Sequence, residues 1–280
     1  MTVDELIQVA LDEDLADGPD VTSLATIPEG HRSQLDFAAR QDGVVAGLDV
    51  AARVFEIVGP IEVSLLAQDG DVVTTGQVLL SAIGSTRDLL TAERTALNLL
   101  THLSGVATAT AAWVAVLGPD GPRVRDTRKT LPGLRALQKY AVRAGGGVNH
   151  RMSLSDAALI KDNHIVAAGG VVEAFNAVRE QFPGIPLEVE VDSMEQLAEV
   201  LDAGADLVLL DNFTPDQMRE AVALTAGRAK LEASGGLTFD NAADVADTGV
   251  DYVAVGALTH SVKVMDIGAD LREIDDAADD

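Results

Sequence analysis

Residues 187–236 read LEVEVDSMEQLAEVLDAGADLVLLDNFTPDQMREAVALTAGRAKLEASGG and alternate between short apolar runs and longer amphipathic runs. Apolar runs with the length and composition of buried β-strands lie at 187–191, 207–211 and 230–234. The runs between them have helical spacing, and Ser193 and Thr214 stand where N-cap residues are expected. This stretch predicts parallel strands joined by helices.

The same alternation extends over the chain from about residue 120 onward. Further strand-like runs lie at 124–127, 157–161 and 252–256, and helical runs at 134–144, 171–181 and 240–247. Polar, charged or glycine residues end every strand-like run. A barrel carries its active site on the carboxyl ends of all its strands, whereas an open sheet concentrates ligands at one switch point. The pattern therefore favours an α/β barrel.

Residues 1–103 have a different pattern. Short apolar runs separated by glycine turns lie at 35–40, 43–47, 61–66, 71–74 and 77–83. Amphipathic helices are expected at 93–103 and at 104–117, the second entering the barrel. We therefore expect one domain at 1–103 and a barrel domain at 104–266.

Composition excludes several classes of protein. The absence of cysteine rules out disulfides, thiolate metal sites and cysteine nucleophiles. The N-terminus has no signal-peptide pattern, and no uninterrupted apolar run approaches the roughly 20 residues of a membrane span. A net charge of −25 opposes nonspecific nucleic-acid binding. We expect a soluble, cytoplasmic protein that binds neither nucleic acid nor membrane.

Positive charge is concentrated between residues 94 and 161. This window holds ten of the 20 Lys and Arg residues but only three of the 45 Asp and Glu residues, Asp120, Asp126 and Asp156. Clustered cations focus the field on an anionic ligand. The alternative is a basic face that pairs with the chain's own acids.

The segment 126–151, DTRKTLPGLRALQKYAVRAGGGVNHR, favours anion binding. Arginine can bind a carboxylate or phosphate through two parallel hydrogen bonds, and lysine acts as a point charge. The glycines at 145–147 let backbone N–H groups approach a ligand. An isolated Arg-Lys pair would more often be solvated or salt-bridged, but here a second basic pair follows. The candidate ligands are Thr127, Arg128, Lys129, His150 and Arg151.

Three charged residues end later strand-like runs. Lys161 could form a Schiff base, as in barrel aldolases, or bind an anion. Glu190 and Asp211 could position Mg²⁺ or hydroxyl groups, with a structural salt bridge to Lys161 or Arg151 as the alternative. The last two strand ends could hold a phosphate through backbone N–H groups. Those residues are Ser234, Gly235, Gly236, Gly256, Ala257 and Leu258.

Together these segments resemble the quinolinate phosphoribosyltransferases, also called nicotinate-nucleotide pyrophosphorylases (carboxylating). The resemblance runs almost from end to end. The motifs that carry it are EDLADGPDVTS, ERTALNLLTHLSGVAT, DTRKTLPGLRALQKYAVRAGGGVNHR, LSDAALIKDNHI, EVEVDS, LLDNF, LEASGG and DTGVDYVAVGALTHS.

The resemblance implies an N-terminal α/β sandwich domain and an incomplete, seven-stranded α/β barrel, the type II phosphoribosyltransferase fold. Residues 267–280 should pack back on the N-terminal domain and end in a frayed acidic tail. The resemblance also implies a homodimer in which Arg94 reaches into the neighbouring subunit's site, and it leaves open a hexamer of such dimers.

The resemblance also assigns roles to the candidate residues. Arg128, Lys129, His150, Arg151 and Lys161 would bind the carboxylates of quinolinate and the anionic groups of phosphoribosyl pyrophosphate, with Thr127 beside them. Glu190 and Asp211 would contact ribose hydroxyls or Mg²⁺, and the segments 234–236 and 256–258 would hold the 5′-phosphate. The catalytic set is Lys129, Lys161, Glu190 and Asp211.

The expected reaction transfers the phosphoribosyl group to quinolinate with loss of CO₂ and pyrophosphate, giving nicotinate mononucleotide in NAD biosynthesis. Two multiply anionic substrates explain a cationic window in an acidic chain. Three alternatives remain open on sequence: a nicotinate-type phosphoribosyltransferase, a barrel lyase with a Schiff base at Lys161, and a non-catalytic anion-binding protein.

The surplus of acids also predicts adaptation to salt. The chain has 15 Arg but only 5 Lys, and its net charge is −25. Dense counterions screen self-repulsion among the acids, so we expect the melting temperature to rise in concentrated KCl. Thermal denaturation in dilute buffer and in concentrated KCl measures this. Equal melting temperatures in the two media contradict a halophile-like surface.

Overall fold

The computed structural model describes residues 1–16 and 18–274. In that part of the chain the helices, in order, are α1 Val3–Leu15, α2 Val21–Thr26, α3 Leu48–Val58, α4 Thr86–Leu117, α5 Arg135–Ala144, α6 Asp162–Ala168, α7 Val171–Gln181, α8 Met194–Asp202, α9 Pro215–Thr225, α10 Ala242–Ala246 and α11 Ala257–His260, with a 3₁₀ helix at Phe239–Asn241. The strands are β1 Arg32–Ala39, β2 Gly43–Val44, β3 Glu62–Leu65, β4 Val72–Val73, β5 Val78–Ser85, β6 Arg123–Arg125, β7 Ala158–Ile160, β8 Leu187–Val191, β9 Leu207–Asp211, β10 Lys230–Ser234, β11 Tyr252–Ala254 and β12 Ile267–Glu273.

The chain forms two compact units. The first contains Met1–Ala109, Pro132–Gly145 and Val262–Asp280, and the second Thr110–Leu131 and Gly146–Ser261. Residues 132–145, which the sequence places in the barrel domain, therefore belong to the first unit. The physical reason lies in α5, because Leu134 and Leu137 pack against the core of the first unit.

The first unit is a sheet packed against helices. Its antiparallel sheet has the order β12-β1-β5-β3, and β2 pairs with β4. Ile7 of α1, Phe37 of β1, Phe55 of α3 and Leu100 of α4 are fully buried in one core. Strand β12 lies in the segment 267–280 that the resemblance places against the N-terminal domain. The acidic tail, residues 275–280, lies outside the described residues.

Helix α4 differs from the sequence prediction of two helices, because it runs unbroken through residues 103 and 104. No proline interrupts it, and Gly105 lies where an added Cβ would be 2.3 Å from the carbonyl oxygen of Lys263. By length and composition α4 could cross a membrane, but half of its most apolar window is buried in the protein. The core helix of a soluble protein meets the same criteria, so this is weak evidence for a membrane span.

The second unit is built on a parallel six-stranded sheet with the order β6-β11-β10-β9-β8-β7. Strands β7 to β11 are neighbours in chain order, and β6, the first strand, pairs with β11, the last, which is the order of a barrel rather than of an open sheet. A parallel bridge from Arg125 to Val148 adds a seventh segment beside β6. Among the described residues no pairing joins that segment to β7, so the barrel is incomplete. The predicted fold class is confirmed.

Local sequence explains how the crossover helices begin. The Ser193 hydroxyl accepts the backbone N–H of Gln196 at the start of α8, and the Thr214 hydroxyl accepts that of Gln217 at the start of α9. Both caps satisfy N–H groups that would otherwise lack partners in the first helical turn. Each helix therefore begins directly after its strand, which leaves short loops at the carboxyl edge of the sheet.

Candidate active site

A cavity of about 310 Å³ lies in the second unit, at the carboxyl ends of the barrel strands. Seven of the residues predicted from sequence line it: Thr127, Arg128, Lys129, His150, Arg151, Lys161 and Ser234. Four residues that the sequence did not single out complete the lining: Leu159, Leu209, Glu232 and Ala254. The cavity thus has a cationic wall above an apolar and acidic floor.

The cationic wall is built around Arg128 and Arg151. Burial, followed by the nearby Arg128 guanidinium, lowers the pKa of Arg151. Nε of Arg128 is buried and has no hydrogen-bond partner among residues 1–16 and 18–274. An anion between the two guanidiniums would relieve their repulsion and accept from Arg128. Arg151 is held in place because its Nη1 donates to the carbonyl oxygen of Ala157 at 3.0 Å.

Two loops fix the position of Lys129. Its backbone N–H donates to the Thr127 hydroxyl at 3.0 Å, and its carbonyl oxygen accepts from the Thr259 hydroxyl at 2.7 Å. Gly256 lies beside its side chain, since a Cβ added there would be 3.1 Å from Cδ of Lys129. The end of β11 and the end of β6 therefore meet at this lysine.

Asp126, a residue that the sequence analysis did not select, organises the second basic pair. Its side chain is fully buried. Oδ1 accepts the backbone N–H of His150 at 2.9 Å, and Oδ2 accepts from the Asn149 side-chain amide. The buried carboxylate thereby ties the end of β6 to the segment that carries His150 and Arg151.

His150 contacts protein groups through both ring nitrogens. Nδ1 accepts the backbone N–H of Arg151 at 2.6 Å, and Nε2 lies 2.8 Å from Oε2 of Glu188. Since Nδ1 accepts a hydrogen bond from the main chain, Nε2 is the ring nitrogen that faces the buried glutamate. The direct substrate contact expected from the resemblance stays a prediction. The geometry shows a histidine oriented by its protein neighbours.

Lys161 and Glu190 form an ion pair at the end of neighbouring strands. Nζ of Lys161 lies 2.6 Å from Oε2 of Glu190. About half of the lysine side chain is exposed, and the glutamate is mostly buried. An ammonium group paired with a carboxylate suits anion binding better than nucleophilic attack on a carbonyl, which requires the neutral amine.

Asp211 and the glycine turn after β10 lie at adjacent strand ends. Ser234 pairs in register with Asp211. Asn212, in the left-handed region at φ 57°, donates its side-chain amide to Oδ2 of Asp211 at 2.8 Å. A Cβ at Gly235 would lie 2.3 Å from Oδ1 of Asn212, and φ at Gly235 is 82°. Glycine is therefore required at this position.

The other predicted site residues occupy different surroundings. Gly236 continues the turn after β10 with φ 63°. Ala257 is exposed at the start of α11, and Leu258 is buried, so Leu258 could contribute only backbone groups. Arg94 belongs to the first unit, where it lies exposed on α4 with its guanidinium 3.8 Å from Glu93.

Three charged residues inside the barrel were not predicted from the sequence: Arg125, Glu188 and Glu232. Oε2 of Glu232 accepts from Nη1 of Arg125 at 2.6 Å, and Glu188 lies against His150. Burial, followed by the charge of Glu188, raises the pKa of Glu232 to about 7. The alternation of side chains along a strand could have indicated the two glutamates. Glu188 lies two residues before Glu190, and Glu232 two before Ser234, so each faces the same side as a predicted site residue.

A parallel α/β barrel whose strand ends surround a cation-lined cavity defines an enzyme that binds a multiply anionic small molecule. Comparisons with known proteins identify the family. The family model "Quinolinate phosphoribosyl transferase, N-terminal domain" matches residues 20–104, and the corresponding C-terminal domain model matches residues 106–270. The chain belongs to the quinolinate phosphoribosyltransferase family, and the resemblance seen in the sequence motifs is confirmed.

Individual relatives agree over nearly the whole chain. The nicotinate-nucleotide pyrophosphorylase (carboxylating) of Mycobacterium leprae is 53% identical over 273 residues, which are 95% of this chain and 96% of the relative. Quinolinate phosphoribosyltransferase (decarboxylating) 1 of Nicotiana glauca is 40% identical over 282 residues. The match covers 94% of this chain and 80% of the relative. The crystal structure of NadC from Streptococcus pyogenes matches with a TM-score of 0.93 at 42% identity. The match covers 98% of this chain and 97% of that chain.

The role of Asp126 can be tested by its removal. Asp126→Ala leaves the buried N–H of His150 without this acceptor, which should cost about 1–3 kcal/mol of unfolding free energy. Because Arg151 follows His150 directly, affinity for quinolinate should also fall. Chemical denaturation and calorimetric titration measure the two effects. Asp120→Ala, at an exposed loop position, is the control, and an Asp126→Ala protein that matches it in both assays contradicts this role.

Proposed function

We propose that the second unit transfers the phosphoribosyl group of phosphoribosyl pyrophosphate to the ring nitrogen of quinolinate and releases CO₂ from the product. The chain is a pentosyltransferase of pyridine nucleotide biosynthesis, as its family membership establishes. The observation that carries the assignment to this cavity is the pair of partly buried guanidiniums, Arg128 and Arg151, on one wall. Two such groups match a substrate with two adjacent carboxylates.

The cationic residues divide between the two substrates. Arg128 and Arg151 would bind the quinolinate carboxylates, with His150 positioning Arg151 from below. Lys129 and Lys161 line the same cavity and would bind anionic oxygens of phosphoribosyl pyrophosphate. Backbone N–H groups of the segments 234–236 and 256–258 would hold the 5′-phosphate, since their glycines allow close approach of an anion.

The chemistry of transfer requires no covalent nucleophile. Pyrophosphate leaves C1′ of the ribose as the ring nitrogen approaches, and the transition state resembles an oxocarbenium ion. The cations stabilise negative charge on the departing group, and fixed side chains align the two reactants. The ribosylated ring nitrogen is cationic, so it stabilises the electron pair that remains when the adjacent carboxylate leaves as CO₂.

Mg²⁺ is the proposed cofactor, and the donor set at the strand ends fits it. Glu190 and Asp211 offer carboxylate oxygens, the ligands that Mg²⁺ prefers together with water and phosphate. Bound there, the ion would offset charge on the pyrophosphate. The carboxylates could instead contact the ribose hydroxyls, and Lys161 already pairs with Glu190. Both arrangements place these acids beside the sugar.

We also propose a cytoplasmic homodimer in which Arg94 completes the site of the partner subunit. Arg94 is exposed and its nearest acid is a sequence neighbour at 3.8 Å, so its guanidinium is available to an anionic ligand. Assembly of dimers into a hexamer is compatible with this arrangement. A mass of 29.2 kDa by light scattering at assay concentrations would contradict the dimer.

The alternatives drawn from sequence are not favoured. The named relatives do not support a nicotinate-type enzyme or a lyase, and Lys161 is paired with Glu190. A nicotinate-type enzyme would need to bind only one carboxylate.

Turnover is the direct test. Purified protein with phosphoribosyl pyrophosphate and Mg²⁺ in concentrated KCl should convert quinolinate to a mononucleotide and release equal amounts of CO₂ and pyrophosphate. Nicotinate should give no product, and replacement of Mg²⁺ by EDTA should abolish turnover of quinolinate. Product from nicotinate without CO₂ would reassign the substrate, and full activity in EDTA would remove the metal from the proposal.

Substitution of the paired arginines tests the diacid pocket. Arg128→Ala and Arg151→Ala should each raise the KM for quinolinate by roughly 10- to 100-fold, as expected for loss of a charged hydrogen bond. Arg219→Ala is the matched control, because Arg219 is exposed on α9 and its ion pair within the described residues is with Asp216, three residues before it. Steady-state kinetics measures these values. A KM for quinolinate that stays at the wild-type value in both pocket variants, as in the control, would refute the pocket.

A further inference from the structure

Glu232 lies at the floor of the cavity, one inward-facing layer below Ser234. Its side chain has no water-exposed surface, yet it belongs to the cavity lining. Oε2 accepts from Arg125 at 2.6 Å, and Oε1 is buried without a hydrogen-bond partner in the described part of the chain. A buried carboxyl oxygen with no donor costs free energy when it is charged. Both oxygens of Glu188 are likewise buried without a hydrogen-bond partner there, so these two carboxyl groups together have a reason to hold a proton, and only Glu232 lines the cavity.

The charges around Glu232 favour the same state. Glu188, Glu232 and His150 are buried together, and their ligand atoms lie within 4.8 Å of one another. Two ionised glutamates this close would repel each other in a buried environment, and one proton on the pair relieves that repulsion. Burial, followed by the charge of Glu188, raises the pKa of Glu232 to about 7, although Arg125 and His150 act in the opposite direction.

The same three residues satisfy the distances of a metal site, but their hydrogen bonds oppose one. A metal-bound histidine normally coordinates through one nitrogen and donates a hydrogen bond from the other. Here Nδ1 of His150 accepts the backbone N–H of Arg151, so it cannot donate the supporting hydrogen bond that a metal at Nε2 would need. Arg125 also already occupies Oε2 of Glu232. The cluster therefore does not fit a metal ion.

The proposed reaction needs a proton in this pocket. When the carboxylate next to the ring nitrogen leaves as CO₂, the electron pair of the broken C–C bond stays on the ring carbon. That carbon must then gain one proton to give the neutral C–H of the product. A general acid fixed beside the reacting atom provides roughly 100- to 10,000-fold acceleration of such a step.

We propose that Glu232 donates this proton, an inference that rests on the proposed function. As the C–CO₂⁻ bond breaks, its electron pair takes the proton from Oε1 of Glu232 in the same step, so CO₂ leaves as the C–H bond forms. Glu232 is left as a carboxylate beside Arg125, which stabilises it, and regains its proton from water before the next turnover. Transfer of the phosphoribosyl group precedes this step and does not use Glu232.

Single-turnover kinetics of Glu232→Gln separates the two steps. Glutamine keeps the shape and can still accept from Arg125, but it has no acidic proton. Pyrophosphate release should continue while CO₂ release falls at least 100-fold, with accumulation of the N-phosphoribosyl diacid. Glu232→Asp, which keeps a carboxylic acid, should restore part of the CO₂ release. Parallel loss of both products, or CO₂ release in step with pyrophosphate at the wild-type rate, overturns the proton donor.

The pH dependence supplies a readout that a structural role would not change. In the wild type, CO₂ release should fall as the pH rises through the pKa of Glu232, because only the protonated acid can donate. Glu188→Gln removes the negative charge that raises this pKa, so the falling limb should move to lower pH. Glu232→Gln should show no such limb. An unmoved limb in Glu188→Gln contradicts the assignment.

The wild-type protein alone distinguishes failure of this inference from failure of the proposed function. If it releases neither pyrophosphate nor CO₂ from quinolinate, the proposed function fails, and the inference fails with it. If it releases both, the function stands. A CO₂ rate that is then independent of pH between about 6 and 8.5 in single turnovers overturns Glu232 as donor, even where no variant folds.

Discussion

The alternation of side chains along parallel strands is the constraint on which this site depends. On β8 and β10 every second residue faces the barrel interior, so charged residues two apart stack in layers. Glu188 and Glu232 form the lower layer. Glu190 and Ser234 form the layer above it, at the carboxyl ends of the same strands. The lower layer is dry, and charge there must be matched within the protein.

Matching that charge organises the cavity above it. Glu232 accepts a hydrogen bond from Arg125, and Glu188 lies 2.8 Å from Nε2 of His150. The orientation of His150 in turn fixes the backbone of Arg151, while Asp126 holds the same segment from the end of β6. The guanidiniums of Arg128 and Arg151 face the cavity. A network of buried acids thus positions the cations that bind anions, which explains how a chain of net charge −25 maintains a cationic site.

Much of the fold could be predicted because local signals agreed with tertiary structure. The barrel strands and the helices capped by Ser193 and Thr214 lie within a residue or two of their predicted bounds. Helix α6 was missed, since DNHIVAA is short and has no apolar stripe. Helix α4 was predicted as two helices that meet at residues 103 and 104. In the structure the Ser104 hydroxyl is buried and bonds to the backbone of Ala46, so this residue serves packing within one helix.

The sequence by itself determined the α/β class, the family and the residues of the cationic wall, because strand periodicity, helix caps and charged strand ends are local properties of the chain. The tertiary structure decided which side chains share a layer and which atoms they face. The lining of one cavity by Arg128 and Arg151, the pairing of Lys161 with Glu190, and the buried contacts of Glu232 with Arg125 and His150 all join residues distant in sequence. Their charge states follow from burial and from neighbours on other strands, which no local pattern specifies.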